Sequence, residues 1–313
     1  MHSPLKPCGT VSVIIPNLHS PIVGDVIAAL RVQTLAHKIC EIIVVGMDRY
    51  GQVQPDQLVQ FIRTDQPVSA AAARNLGAAV AQGECLLFVD ADCLLAPNAI
   101  AELLVAIATG YGAVLGGIVP EKGNYWRLCA NLMAFPEFLS VDPPGERGVL
   151  PSFCLMLSRQ SWEAAGPFTE RYRGASAEDL DLSLRLRQAG FRLGCAPSAR
   201  VLHRPERTSL GAVWQRHKSF GLAFYDIYYR YRAMMPFSEA IWLCEHLPPP
   251  LAAAAIAPLA LAYALRLLLR RPQLRPFWYA LPGMAWAQLG WYSGLLQAAR
   301  QPGAVAVPES RTG

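Results

Sequence analysis

Cys85-Leu86-Leu87-Phe88-Val89-Asp90-Ala91-Asp92 decides how this chain is read. Five residues beginning at Cys85 run apolar without a break, as a strand buried on both faces requires, and two acids close the run. On extended backbone the side chains at i and i+2 leave the same face, so Asp90 and Asp92 can aim at one point. A lone carboxylate at the end of a core strand is costly unless it is paired or metal-bound. The pair therefore suits a divalent cation and, through it, a phosphate-bearing ligand. Residues 90–92 equally fit a turn that ends the strand and leads to a helix starting near Pro97. By themselves they leave both readings open.

Outward from this strand, helix and strand signals alternate. Residues 11–15 are β-branched apart from Ser12 and are closed by Pro16, and residues 41–45 form a second apolar run stopped by Gly46. Residues 61–63 suggest a short third strand. Between them, residues 22–35 place Val23, Val26, Ile27 and Leu30 on one helical face, and residues 69–81 are alanine-rich and helical. Continuous apolar strands separated by helices predict an α/β fold, a mostly parallel central sheet with helices on both faces. Ligands of such sheets bind at the carboxyl ends of the strands, where Pro16, Asp48 and Asp90 all fall. Further strands are expected over 111–119, 149–157, 191–195 and 199–202, and a helix over 177–188. Residues 121–148 read as a mobile or acceptor-facing segment.

Composition narrows the classes. Of 313 residues 53% are hydrophobic and only 16% charged. A soluble domain averages about 25% charged residues, so part of the chain is expected to meet lipid. The net charge of +5 is spread out, with no basic block to argue for nucleic acid. Eight cysteines show no CxxC pair, which predicts reduced thiols and neither a zinc site nor a disulfide framework. The first nine residues lack a secretory signal pattern.

The last third is apolar. Residues 210–232 mix aromatic and basic side chains, as an interfacial helix or a basic helix packed on the domain would. Stretches 247–269 and 277–299 each have about the 20 residues that a bilayer core needs. Their connection, residues 270–275, is basic and by charge should stay cytoplasmic, as a nucleotide-using domain must. Two full spans would put that loop outside. A shallow re-entrant hairpin, or helices lying in the interface, would remove the conflict.

Four segments occur in an order that resembles family 2 inverting glycosyltransferases with the GT-A fold: Val11-Ser12-Val13-Ile14-Ile15-Pro16-Asn17, Ala73-Arg74-Asn75-Leu76-Gly77, Phe88-Val89-Asp90-Ala91-Asp92, and Ala177-Glu178-Asp179-Leu180-Asp181-Leu182-Ser183-Leu184-Arg185. Pro197 and His203 match the segment that follows. The resemblance covers roughly residues 10–235 and implies three regions: a nucleotide-sugar-binding half over 1–115, an acceptor-binding and catalytic half over 116–236, and a membrane-associated helical region over 237–313.

It also implies roles. Asp92 would bind Mg²⁺ or Mn²⁺ bridging the donor diphosphate, with His203 as a further ligand, while Asp90 reaches the donor ribose or sugar. A divalent cation stabilises the charge that develops on a departing diphosphate. Asp179, with Glu178 beside it, would be the catalytic carboxylate, because inversion needs a base to take the proton of the attacking hydroxyl. Ser176, Glu178 and Asp179 also read as an ordinary acidic helix start, and Asp181 with Arg185 as a stabilising i, i+4 pair. Arg74 would contact the donor, Asn75 and Gly77 would let their helix approach closely, and Pro16, Asn17 and Asp48 would lie around the nucleobase. One departure stands out. Members usually carry an acid pair directly after the second strand, whereas Val44-Val45-Gly46-Met47-Asp48 has a glycine first and its acid two places on.

The expected activity is transfer of a sugar from a nucleotide-sugar donor to a hydroxyl of a lipid or lipid-linked glycan, at the cytoplasmic face of a cell membrane. A non-catalytic GT-A-fold scaffold is the main competing class. A nucleotidyltransferase is disfavoured because residues 16–24 offer no glycine-rich phosphate loop, and no GxGxxG follows a strand to suggest a dinucleotide oxidoreductase.

Overall fold

The computed structural model describes residues 8–172, 177–236 and 238–301. The elements in chain order are β1 (Val11–Leu18), α1 (Val23–Arg31), β2 (Ile39–Met47), β3 (Val59–Arg63), α2 (Ala70–Val80), β4 (Cys85–Val89), β5 (Cys93–Leu95), α3 (Ala99–Ala108), β6 (Ala113–Ile118), α4 (Tyr125–Ala134), β7 (Gly145–Glu146), β8 (Cys154–Ser158), α5 (Arg159–Ala165), α6 (Glu178–Gln188), β9 (Leu193–His203), α7 (Leu210–Arg230), α8 (Glu239–His246), α9 (Pro249–Arg270) and α10 (Leu281–Arg300). Contacts divide the chain into two units. The first runs to Val119 and takes in Phe138–Glu170 and Glu178–Arg204; the second holds Pro120–Glu137, Arg171 and Tyr172, and the chain from Pro205.

The first unit is built on one mixed sheet, ordered β3-β2-β1-β4-β8-β6-β9-β5, with β7 paired to β9. The block β3-β2-β1-β4 is parallel, with α1 crossing over from β1 to β2 and α2 from β3 to β4, while residues 48–58 join β2 to β3 without a helix. β8 then enters antiparallel between β4 and β6. All five residues of β4 are fully buried, and each large side chain among them contributes roughly 1.5–3 kcal/mol by leaving water.

Strand β1 creates the crevice. It pairs with β4 only as far as Ile14↔Phe88 but continues beside β2 to Leu18↔Met47. Past Ile14 it therefore has one strand neighbour, which is why Pro16 is tolerated inside the strand rather than ending it. Strand order reverses between β2 and β4 at this point, the usual site for a ligand. Gly77 lets α2 settle here, since a Cβ at that position would lie 2.6 Å from Ile14 Cγ2. Ser69 caps the same helix by accepting from Ala72 N at 3.1 Å.

Two sequence expectations are corrected, on disulfides and on the strands after residue 190, and the irregular segment 121–148 gains a helix. Cys8 forms a disulfide with Cys85, their Cα atoms 5.7 Å apart. The segment before β1 lies against the start of β4, where Cys85 N donates to Thr10 O, a proximity that a separation of 77 residues conceals. The segment 121–148 contains α4, capped by Asn124 and burying Leu128, Cys129 and Leu132. Where two strands were expected over 191–195 and 199–202, β9 runs unbroken over Leu193–His203, because Pro197 is accommodated where the β6–β9 register shifts between Gly116 and Gly117.

The second unit is helical. α10 and α7 approach to backbone contact: a Cβ on Gly221 would sit 1.9 Å from Trp291 O, and one on Gly294 would sit 2.0 Å from Lys218 O. Trp286 Nε1 donates to Leu210 O, and Trp214 lies against the Trp286 ring. The second apolar stretch is thus largely a packed helix, with Met284, Ala287, Tyr292 and Leu295 buried in protein. Among the described residues one helix, α9, is long and apolar enough to cross a membrane, where the sequence suggested two.

Candidate active site

The sequence brings the acid pair to the crevice through a tight turn. Asp90 N donates to Phe153 O and Cys93 N to Asp90 O, each at 3.0 Å, so the chain reverses directly after β4. β5 then pairs antiparallel with the end of β9, placing Cys93 directly opposite His203. Arg204 N closes the arrangement on Asp92 O at 2.8 Å. His203 Nε2 lies 3.5 Å from Asp92 Oδ1, and its ring stacks on Phe153. One ligand atom from each of Asp92, Cys93 and His203 lies within 4.8 Å of the others.

A carboxylate and an imidazole at this spacing fit a divalent cation that accepts mixed O and N donors. The Cys93 thiol is pushed well above its ordinary pKa, by burial first and then by the charges of Asp92 and Asp90. It stands beside the pair as a neutral group.

Arg74 ties the acid pair to the later helix. Its side chain is 1% exposed, Nη2 donates to Asp90 Oδ1 at 2.6 Å, and Nη1 donates to Glu178 Oε1 at 3.0 Å. Burial works against its charge, but Asp90 and Glu178, with a smaller contribution from Asp179, hold its pKa above the ordinary value. The Phe168 ring packs under the guanidinium, 5.3 Å from its carbon. The next residue holds that ring's backbone: Asn75 Oδ1 accepts from Phe168 N, and its Nδ2 donates to Phe168 O and Glu170 Oε1. Two buried atoms in the cluster, Arg74 Nε and Glu178 Oε2, have no hydrogen-bond partner among the described residues.

The resemblance implies that Arg74 touches the donor and that Glu178 stands beside the catalytic Asp179. In the structure both side chains are buried and joined to each other. Asp179 occupies the first turn of α6 next to Glu178, more open than its neighbour and near enough to act on the Arg74 charge. Ala177, directly before, has φ +76°, a strained conformation for alanine. Ser176 lies outside the described residues. Asp181 and Arg185 do pair, Nε to Oδ2 at 2.8 Å.

At the tips of β1 and β2, Asn17 is buried, donating to Met47 O and accepting from Ser20 N. Both Asp48 oxygens accept backbone N–H groups, from Tyr50 and Val53, and so shape the following loop. Gly46 has φ +128°, and a Cβ there would lie 2.2 Å from Asn17 O. The glycine that replaces the expected acid is thus demanded by the backbone. Ser20 went unnoticed in the sequence; its Oγ donates to Ala91 O at 2.7 Å and links the β1 tip to the acid-pair turn. Cys93 was likewise missed, and the only sequence signal for it is its place directly after Asp92.

This architecture is that of the GT-A glycosyltransferases. The chain aligns with the mannosyltransferase PcManGT from Pyrobaculum calidifontis, solved with GDP-Man and Mn²⁺, at a TM-score of 0.59 and 18% identity, over 92% of this chain and 89% of that one. It also aligns with GalNAc-T7, solved with UDP, GalNAc and Mn²⁺, at a TM-score of 0.50 and 18% identity over 63% of this chain and 44% of that one. Residues 12–161, just under half of the chain, match Glycosyl transferase family 2. Among curated relatives, the O-antigen biosynthesis protein RfbC of Myxococcus xanthus is 28% identical over 44% of this chain, and mouse polypeptide N-acetylgalactosaminyltransferase 3 is 26% identical over 47%. The matched regions cover only 12% and 27% of those two proteins.

Proposed function

We propose that this chain transfers a sugar from a nucleoside-diphosphate sugar to a hydroxyl of a lipid or lipid-linked glycan, with inversion at the anomeric carbon. The observation that carries the reading is the Arg74 bridge, which joins Asp90 of the acid pair to Glu178 and so brings Asp179 to the same rim of the sheet. The donor diphosphate lies at the crevice where β1 and β4 diverge, with Pro16, Asn17 and Asp48 around the base and Asp90 toward the ribose or sugar. Asp92 and His203 would hold a divalent cation, Mn²⁺ or Mg²⁺. When bound, that cation neutralises charge developing on the leaving diphosphate.

Asp179 takes the proton of the acceptor hydroxyl as its oxygen attacks the anomeric carbon and the sugar–phosphate bond breaks. Arg74 and Glu178 are positioning residues in this scheme: they hold the acid pair and the base in fixed relation. Residues 1–115 supply the donor side and 116–236 the acceptor side. The relatives named for O-antigen biosynthesis and N-acetylgalactosamine transfer support a glycan product, and the nucleotides and Mn²⁺ of the solved structures support the donor class. The apolar helix α9 supports an acceptor carried by a membrane at whose cytoplasmic face the chain works.

The test is a transfer assay across a panel of nucleotide sugars with Mn²⁺, using a donor first identified by thermal shift. Asp179→Asn should reduce turnover by at least about 100-fold, the scale of general-base catalysis, while leaving the donor-induced shift intact. Unchanged turnover in that variant would remove Asp179 from the mechanism, and no turnover with any donor in the parent chain would favour a scaffold.

A further inference from the structure

We propose that the second unit docks on an anionic bilayer with α9 lying in the plane of one leaflet rather than crossing it. The inference deepens the membrane-borne acceptor of the proposed function and rests on that reading for its purpose, but its test needs no sugar donor.

α9 has 22 residues and a mean hydropathy of 1.9 over its most apolar window. It buries one narrow stripe, Ala252, Ile256, Ala260, Ala264 and Leu268, at i, i+4 spacing. Around the rest of its circumference leucines stand in the open, Leu251, Leu261, Leu265 and Leu269, the last 64% exposed. An apolar face of that extent is what a lipid or protein surface covers.

Packing decides how lipid can reach it. Ile256 and Ala260 lie against Tyr292 of α10, and Arg300 at the end of α10 bonds Leu247 O just before α9. α10 in turn meets α7 from the Trp286–Leu210 bond, through the two glycine contacts, to the cluster of Leu295 with Tyr228. Three helices of roughly 30 Å each, at about 1.5 Å per residue, thus lie side by side. A crossing α9 would carry α7 into the hydrocarbon along with it. That helix bears Arg216, Lys218, Asp226 and Arg230, whose charges a bilayer core opposes. Only the outward face of α9 can enter lipid without taking α7 with it.

Charge selects the lipid. Residues 247–301 contain no Asp or Glu, while Arg266, Arg270, Arg271 and Arg275 gather at one end of α9. Trp278, 72% exposed, and Tyr279 follow them, as aromatic rings do at a headgroup boundary. This cationic, aromatic end complements anionic headgroups. In-plane docking also keeps the basic loop on one side of the membrane, which resolves the conflict that two spans would create.

The test is flotation of the full chain with sealed vesicles of phosphatidylcholine and phosphatidylglycerol, against pure phosphatidylcholine. Four arginines near the surface predict more than about a tenfold preference for the anionic vesicles. Leu265→Glu and Leu269→Glu should each abolish flotation while the circular dichroism spectrum stays that of the parent. Gln273→Cys in the bound chain should react with a membrane-impermeant maleimide added outside, above the signal of the exposed Cys40. Parent chain that fails to float, or that forms a dimer through this face and ignores vesicles, overturns the proposal. So does a Gln273→Cys thiol protected until detergent is added, since that result means α9 crosses.

Discussion

Replacing Arg74 by methionine tests the bridge on which the site depends. The substitution keeps an unbranched chain of similar reach but removes the charge that two carboxylates face at 2.6 and 3.0 Å. Glu178, with 3% of its side chain exposed, is then left as a buried charge without its partner. Breaking a buried pair from one side costs about 3–5 kcal/mol. Asp90 is 29% exposed, so water screens it and it adds little. Because a domain of the first unit's size loses about 2–4 °C per kcal/mol, the melting temperature should fall by roughly 6–20 °C. Glu178→Gln keeps an acceptor for Nη1 and leaves Arg74 paired to Asp90, so it should cost less, about 1–3 kcal/mol. The double variant removes both charges and should regain part of the Arg74→Met loss through a coupling of about 0.5–3 kcal/mol. Differential scanning calorimetry without donor or metal reads all three. A single Arg74→Met variant melting with the parent, or a double variant melting below the parent by the sum of the two single losses, would refute the argument.

Further outcomes follow from the same geometry. Asp92→Ala should lose the Mn²⁺-dependent part of donor stabilisation, which in the parent amounts to about 2.7 kcal/mol at a ligand concentration one hundred times Kd; an unchanged shift would assign the cation elsewhere. Gly46→Asp, which restores the acid usual in the family, should lower the melting temperature without improving donor affinity. An aspartate there must adopt φ +128° with its Cβ against Asn17 O, at a strain cost of at least about 1–3 kcal/mol, and tighter donor binding at an unchanged melting temperature would contradict this. His217 is buried in the second unit, where desolvation first, then Arg216 and Arg207, pushes its pKa down to about 3. Its neutral form is the native one, so the stability it permits is complete above about pH 6.5 and lost as pH falls toward 3, because the unfolded chain then takes up the proton. The unfolding equilibrium should shift by about tenfold per pH unit in that window, and His217→Leu should flatten the slope in urea titrations of the second unit's transition.

Much of the site could be read from the residues in order. The apolar run to Val89 fixed β4 because five buried side chains in a row fit only a strand covered on both faces, and the i, i+2 acids at its end had to share a direction. The alanine-rich start after Ser69 and the i, i+4 pairs Leu180/Leu184 and Leu182/Leu186 likewise marked α2 and α6, since caps and periodicity act over a few residues. The anomaly at Gly46 was visible too, but not its cause, because a positive φ and a contact with Asn17 O depend on how β1 and β2 are paired.

What tertiary structure alone decided lies at long separations. Arg74 looks in sequence like a surface cation free to meet a phosphate; only the packing of α2 against β1 and α6 buries it between Asp90 and Glu178, 16 and 104 residues away. Cys93 joins Asp92 and His203 because β5 returns along β9, and Cys8 meets Cys85 because the chain enters the sheet beside β4. The apolar tail shows the same limit most clearly. Sequence determined that stretches 247–269 and 277–299 are apolar and avoid water, but lipid and protein interior are equally apolar to a side chain. Which helix is wrapped by protein and which is left bare depends on glycines 221 and 294 letting two backbones touch, and that choice exists only once the chain has folded.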